Sequence, residues 1–171
     1  MKKIDIFDIM GAAMKQIDNG AFLMAGKENN PMTIGWGLLG VIWGRPMCAV
    51  LVRKTRYSHE LLKDGHFTLS VPYLSTMKDE LSLCGTASGR DMNKLEQLNV
   101  SAIPLPTASV GAFPGCQYYF DCKVVYEDDM DMSRVDESVK KEWYNEKNQA
   151  TADGDPHTIY FAEVTNIYLN D

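Results

Sequence analysis

A chain of 171 residues suits one domain on a single core, so residues 1–171 are expected to fold as one unit. Its 45% hydrophobic share is that of a soluble globular protein, and a net charge of −6 speaks against nucleic-acid binding, which needs a basic face to displace counterions. No apolar run approaches the roughly 18 residues of a membrane helix, and Asp5 and Asp8 spoil a signal-peptide reading, so a cytoplasmic location without a membrane partner is expected.

In chain order, residues 12–17 extend a short helix from Asp8, and Asn19-Gly20 breaks it. Residues 21–26 read as a first short strand. Residues 31–43 form a longer extended segment, in which Met32, Ile34, Trp36 and Leu38 alternate with Thr33, Gly35, Gly37 and Leu39. Gly44-Arg45-Pro46 is a turn, and residues 47–52 (MCAVLV) are a nearly all-apolar strand, buried on both faces or set in a barrel wall. Thr55 is placed to cap a helix through Leu62 that stops at Gly65. Residues 66–71 are another strand, ended by Pro72. Thr76 starts a helix carrying Met77, Leu81 and Cys84 on one face, and Asp91 caps a third through Leu98. Residues 103–114 are a Pro-rich loop and residues 116–126 a long strand. Residues 128–156 are an acidic excursion with a helix over 137–144, and residues 157–169 are the last strand. Strands dominate and helices fall in the connections, which predicts a closed or partly closed antiparallel barrel.

Cys48, Cys84, Cys116 and Cys122 show neither CxxC spacing nor zinc-site spacing to a histidine. They read as small buried apolar residues in a reducing compartment, with Cys116 and Cys122 on the same side of one strand.

Three segments carry candidate chemistry. In the first, NPMTIGWG, Gly35 and Gly37 leave backbone groups uncovered, so a flat heteroaromatic ring could lie along the strand, with Trp36 as a wall and Thr33 as a donor. The same pattern describes a strand at a barrel bend with Trp36 in the core. The second, RKTRYS, places Arg53, Lys54 and Arg56 among hydroxyls at a helix start, where a phosphate is the natural guest. A solvated basic turn would look alike. The third, Ser88-Gly89-Arg90-Asp91, is a turn feeding another helix start, and with the second it would make a two-sided phosphate clamp. His59 reads as solvated, His66 as partnerless, and His157 as a residue at the barrel mouth. Asp128, Asp129 and Asp131 lack the EF-hand glycine and terminal Glu, so they read as a solvated loop and no metal is expected. Glycine motifs for a P-loop or Rossmann turn and a nucleophile elbow are absent.

Taken in order, NPMTIGWG, GVIWGRPM, VRKTRYSHELL, SGRD and DPHTIYFAEV resemble the flavin reductase-like, FMN-binding split-barrel family, in its flavoredoxin-like branch. The resemblance runs from about Asn30 to the C-terminus and is weakest over residues 128–156. It implies a mainly β fold, an antiparallel split β-barrel of Greek-key type with short helices in the crossovers, assembled as a homodimer with FMN near the interface. By motif, Asn30, Thr33, Trp36 and Gly37 would line the isoalloxazine and ribityl part. Arg53, Lys54, Thr55, Tyr57 and Ser58 would hold ribityl and phosphate groups, Ser88, Gly89 and Arg90 would complete the phosphate site, and His157 would approach the flavin edge. Many relatives carry Lys immediately before this Ser-Gly; here it is Ala87.

The resemblance implies an NAD(P)H-dependent flavin reductase, or alternatively an FMN electron carrier reduced by a protein partner; a split barrel that has lost its flavin is the third reading. The flavin carries the redox chemistry, and hydride transfer from a nicotinamide needs stacking but no obligatory protein acid or base. Accordingly no catalytic residue is assigned. Backbone donors of the glycine-containing strand or of the strand after it would stabilise a reduced, anionic ring.

Overall fold

The computed structural model describes residues 1–145 and 154–170. Its strands are β1 (Lys2–Lys3), β2 (Ala21–Ala25), β3 (Asn30–Ile34), β4 (Gly37–Ile42), β5 (Arg45–Arg53), β6 (His66–Val71), β7 (Tyr118–Asp129) and β8 (His157–Leu169). All pairings are antiparallel, along the path β3-β2-β6-β7-β8-β5-β4, with β1 on β8. The fold is the expected mainly β split barrel with short helices in the connections.

Consecutive strands β3 and β4 end up at opposite ends of this path. The expected single segment over 31–43 is therefore two strands, broken at Gly35-Trp36. There the chain leaves β2, the strand paired with β3, and crosses to β5. Strand β3 approaches β5 without pairing to it, which leaves a seam in the barrel wall. A strand edge at such a seam presents unpaired N–H and C=O groups.

Period-two alternation feeds two cores. Ala21, Leu23 and Ala25 of β2 join Val50, Phe120 and Cys122 inside the barrel, while Phe22 and Met24 face an outer layer with Leu81, Phe113 and Tyr119. Phe22 and Phe113 stack with ring centroids 3.8 Å apart. Both faces of β2 are thus covered, and all five of its residues are buried. Cys116 precedes β7 and belongs to the outer layer, whereas Cys122 is inside, so the two do not share a side. Helix α1 (Ile6–Ile17) closes one barrel end. It starts earlier than expected, because Asp5 caps it by accepting from the Phe7 N–H at 2.9 Å, and because Ile6, Ile9, Ala13 and Ile17 make one buried stripe.

The other helices differ from expectation in their bounds or caps. Helix α2 (Tyr57–Leu61) has five residues; Arg56, not Thr55, holds its cap position and makes no cap bond. Thr55 instead binds Asp155, through its Oγ1 at 2.6 Å and its N–H at 3.2 Å. Helix α3 (Lys78–Thr86) follows Met77 in the left-handed conformation, φ 57°. Helix α4 (Lys94–Gln97) is capped by Asn93, not Asp91. Helix α5 (Glu137–Trp143) lies in the acidic excursion, which begins later than expected because β7 stays paired with β8 as far as Asp129. No helix among the described residues is long and apolar enough to cross a membrane.

Candidate functional site

The seam holds a cavity of about 320 Å³. One wall is β3, with Met32, Thr33 and Ile34, continued by Gly35 and Trp36. The facing wall is the end of β5, with Leu51, Val52 and Arg53. His157, which starts β8 opposite Arg53, and Trp143 close it. The volume falls at the lower end of the range for small-molecule sites.

A second, smaller cavity of about 120 Å³ lies between the turn before α2 and the α3–α4 connection. Asn30, Thr55, Tyr57, Ser58, Ser88 and Gly89 line it with Arg56, Thr86, Ala87 and Lys94. Arg56 lines both cavities and is the hinge between them. Its guanidinium donates to the carbonyls of Gly85 at 2.5 Å and Cys84 at 3.1 Å, at the end of α3. Burial lowers its pKa from the ordinary arginine value, with Asp155 acting in the opposite direction. Asn30 donates to Ser58 Oγ at 3.0 Å, which ties the start of β3 to α2.

The segments named from sequence thus divide between the cavities. Thr33, Trp36, Arg53 and His157 fall on the larger one. Asn30, Thr55, Tyr57, Ser58, Ser88 and Gly89 fall on the smaller. Three line neither. Gly37 faces a further hollow behind Trp36, beside Met14 and Ile17 of α1, and a Cβ there would come 3.0 Å from the Ala49 carbonyl. Lys54 pairs with Asp129 at 2.6 Å. Arg90 pairs with Glu60 and donates to the Thr55 carbonyl at 3.0 Å, bracing the pocket from outside. With only five residues, α2 offers a weak dipole, so anion attraction rests on the side chains.

Arg53 does not reach the small cavity. Its guanidinium holds the excursion, donating to Trp143 O at 3.1 Å, Asp155 O at 2.9 Å and Gly154 O at 3.4 Å. The excursion thereby covers the seam: Trp143 stands edge-on to Trp36 at 4.9 Å, and Tyr144 OH lies 2.8 Å from His157 Nδ1. His157 is buried, and burial, with Arg53 adding repulsion, lowers its pKa to about 4. At neutral pH it is an uncharged imidazole. His59 is half-buried, not solvated, with Nε2 3.1 Å from Thr158 Oγ1. Among the described residues no group of three or more His, Cys, Asp or Glu could hold a metal.

Lys94 and Trp143 escaped the sequence reading. Lys94 lies in a four-residue helix with no periodicity to show that it turns inward. Trp143 was visible as an apolar residue in a polar excursion, but nothing local joins it to Trp36.

Gly89 is where the small cavity is tightest. A Cβ there would lie 2.1 Å from Asn30 Oδ1 and 2.8 Å from the Tyr57 ring. Gly89→Ala is expected to displace Asn30 from Ser58 and to cost about 1–3 kcal/mol by overpacking. A thermal unfolding midpoint equal to that of the unmodified chain would show that the pocket yields freely.

A protein from Archaeoglobus fulgidus of uncharacterised role is 31% identical over 107 residues, 61% of this chain and 59% of its own length, so the match spans under two thirds of that relative. The chain shares its fold with a flavoredoxin from Methanosarcina acetivorans (TM-score 0.64, 20% identity, 89% of this chain and 68% of that one). It shares it also with an FMN-binding domain of a flavin reductase-like enzyme from Shewanella baltica (TM-score 0.65, 16% identity, 98% and 76%). The model of the flavin reductase-like domain matches residues 14–171, and the chain belongs to that family.

Proposed function

We propose that this chain binds FMN and works as an oxidoreductase, an NAD(P)H-dependent flavin reductase. The observation that carries the reading is the meeting of two unlike cavities at Arg56: an aromatic-walled slot at the barrel seam, and a small pocket of cations and hydroxyls beside it. A ligand with a flat ring at one end and a phosphate at the other matches that donor set. When bound, FMN would supply the redox chemistry.

The residues' own part is to bind and to orient. Ser58, Ser88 and Arg56 offer the phosphate charge-assisted hydrogen bonds. The seam edge of β3 offers amide and carbonyl groups to a ring. Trp36 and Trp143 keep water from one side of the slot, and neutral His157 adds no charge there. No described side chain needs to move a proton, which suits hydride transfer. The alternative reading is an electron carrier reduced by a protein partner. It draws support from Trp143, whose place over Trp36 narrows the approach for a stacking nicotinamide.

A second copy of the chain completes this reading. Leu38, Val41 and Trp43, on and just beyond the edge strand β4, are 66%, 54% and 66% exposed, an apolar edge of the sort a partner covers. Sedimentation equilibrium is expected to give a dimer, and a monomer at micromolar concentration would remove this part. A cytoplasmic setting is part of the same reading, and four buried free thiols support a reducing compartment.

The test is the visible spectrum of the purified protein after FMN is added and excess removed. Retained flavin absorbance is expected, and its absence refutes the assignment. Anaerobic mixing with NADH or NADPH then separates the two readings: rapid bleaching marks the reductase, and bleaching by dithionite alone marks the carrier. Trp143→Ala is expected to raise quenching of bound-flavin fluorescence by iodide at least roughly twofold, because the slot opens to solvent. Unchanged quenching would show that Trp143 does not cover the ring.

A further inference from the structure

Lys94 is an unusual residue for its position. It is 2% exposed, on a short surface helix, and lines the small cavity beside Ala87. Its ammonium donates to the Pro31 carbonyl at 2.6 Å and to the Cys84 carbonyl at 3.4 Å. No carboxylate pairs with it in any ion pair among the described residues. The charged or titratable groups acting on it are Cys84, a thiol whose own pKa is pushed up to about 11, and Arg56, a like charge. Lys94 and Arg56 share the Cys84 carbonyl. Two cations, one buried and one half-buried, therefore converge on one small cavity; among the described residues neither is in an ion pair, and the carboxylate acting on Arg56 is that of Asp155. Burial of an unpaired cation is costly, and burial lowers the ammonium's pKa to about 8. An anion in the cavity would relieve both the desolvation and the mutual repulsion.

We infer that Lys94 is a phosphate-binding residue of this pocket, supplying with Arg56 the positive charge that Ala87 does not. This rests on the FMN reading given above and adds a residue to it. The third N–H of the ammonium is left for the anion, since two are accounted for by carbonyls. One of those carbonyls belongs to Pro31 of β3, so the cation of the small pocket is bonded directly to a wall strand of the ring slot. Phosphate occupancy would thereby stiffen the strand against which the ring lies.

The test compares Lys94→Met and Lys94→Arg with the unmodified chain, each titrated with FMN and with riboflavin, which lacks the phosphate, by fluorescence quenching. Lys94→Met is expected to weaken FMN on the order of 30-fold, the scale of one charge-assisted hydrogen bond. Riboflavin should change less than about threefold, and Lys94→Arg should restore part of the FMN affinity by keeping the charge. In a second arm, inorganic phosphate at millimolar concentration should raise the thermal unfolding midpoint of the flavin-free unmodified chain, and should raise that of Lys94→Met less. This arm needs no flavin and controls for variants that merely fold less well. Equal losses of FMN and riboflavin, with an unchanged phosphate increment, would make Lys94 a structural brace and overturn the inference. Failure of the unmodified chain to bind either flavin would instead refute the FMN reading itself.

Discussion

Arg56→Ala should weaken FMN binding on the order of 100-fold while leaving riboflavin within about fivefold. Among the described residues Arg56 is the side chain that lines both cavities, and a lost charge-assisted contact to a phosphate is worth about 1.5–3 kcal/mol. The same substitution removes the guanidinium donor from the Gly85 carbonyl and leaves the Cys84 carbonyl with Lys94, which costs the flavin-free protein about 1–3 kcal/mol of stability. Arg56→Lys keeps a cation without the fork geometry, so FMN affinity should fall to a value between the two. Fluorescence titration with both flavins checks this. A loss that is the same for FMN and riboflavin would place Arg56 in the scaffold alone. Arg53→Ala should act otherwise. Arg53 holds three carbonyls of the excursion and lines only the ring slot, so its loss should weaken both flavins alike.

The second large effect is a dependence of stability on pH through His157. Its pKa is lowered from 6.5 in the free side chain to about 4 in the fold, by burial first and by Arg53 second. The unfolded chain takes up this proton near pH 6.5, whereas the folded protein refuses it until about pH 4. Between those values the unfolded state binds more protons, so stability falls as the pH is lowered through this window. It is fully present above pH 6.5. The gap corresponds to at most about 3 kcal/mol lost by pH 4, at about 1.4 kcal/mol for each tenfold change. Urea unfolding at pH 7, 5.5 and 4.5 measures it. His157→Asn, which keeps a polar partner for Tyr144, should flatten this part of the profile, while the carboxylates titrate in both proteins. Parallel profiles would show that His157 gains its proton freely in the fold. The predicted loss would also loosen the excursion, because Tyr144 and Arg53 hold it around His157.

Much of the strand order along the chain was readable from residues alone. Strands β6 and β8 run over 66–71 and 157–169 as expected, because their ends are marked by Gly65, Pro72 and Pro156 and their alternation is strong. Helix caps were less legible. Thr55 and Asp91 have the right residue types, yet Thr55 binds Asp155, and Asn93 caps the helix expected to start at Asp91. A cap competes with tertiary partners for the same oxygen, and nothing within a few residues reveals that partner. The break at Gly35-Trp36 was hidden for a related reason. Alternation continues through it, and only the pairing of β3 with β2 and of β4 with β5 shows that the segment changes sides.

The sequence by itself determined the chemistry on offer: a glycine-rich strand with a tryptophan, a cluster of cations and hydroxyls, and an absence of nucleophile or metal motifs. It determined the mainly β class through local alternation, which is a property of neighbouring residues. Tertiary structure decided which cations reach the pocket. Arg53, Lys54 and Arg56 are indistinguishable as neighbours in the chain, but one clasps the excursion, one pairs with Asp129, and one joins the cavities. Lys94 joins Arg56 there from another helix. The division follows from where β5 ends and α2 begins, since each side chain bonds to a partner far away in sequence, and only the folded barrel brings those partners within reach.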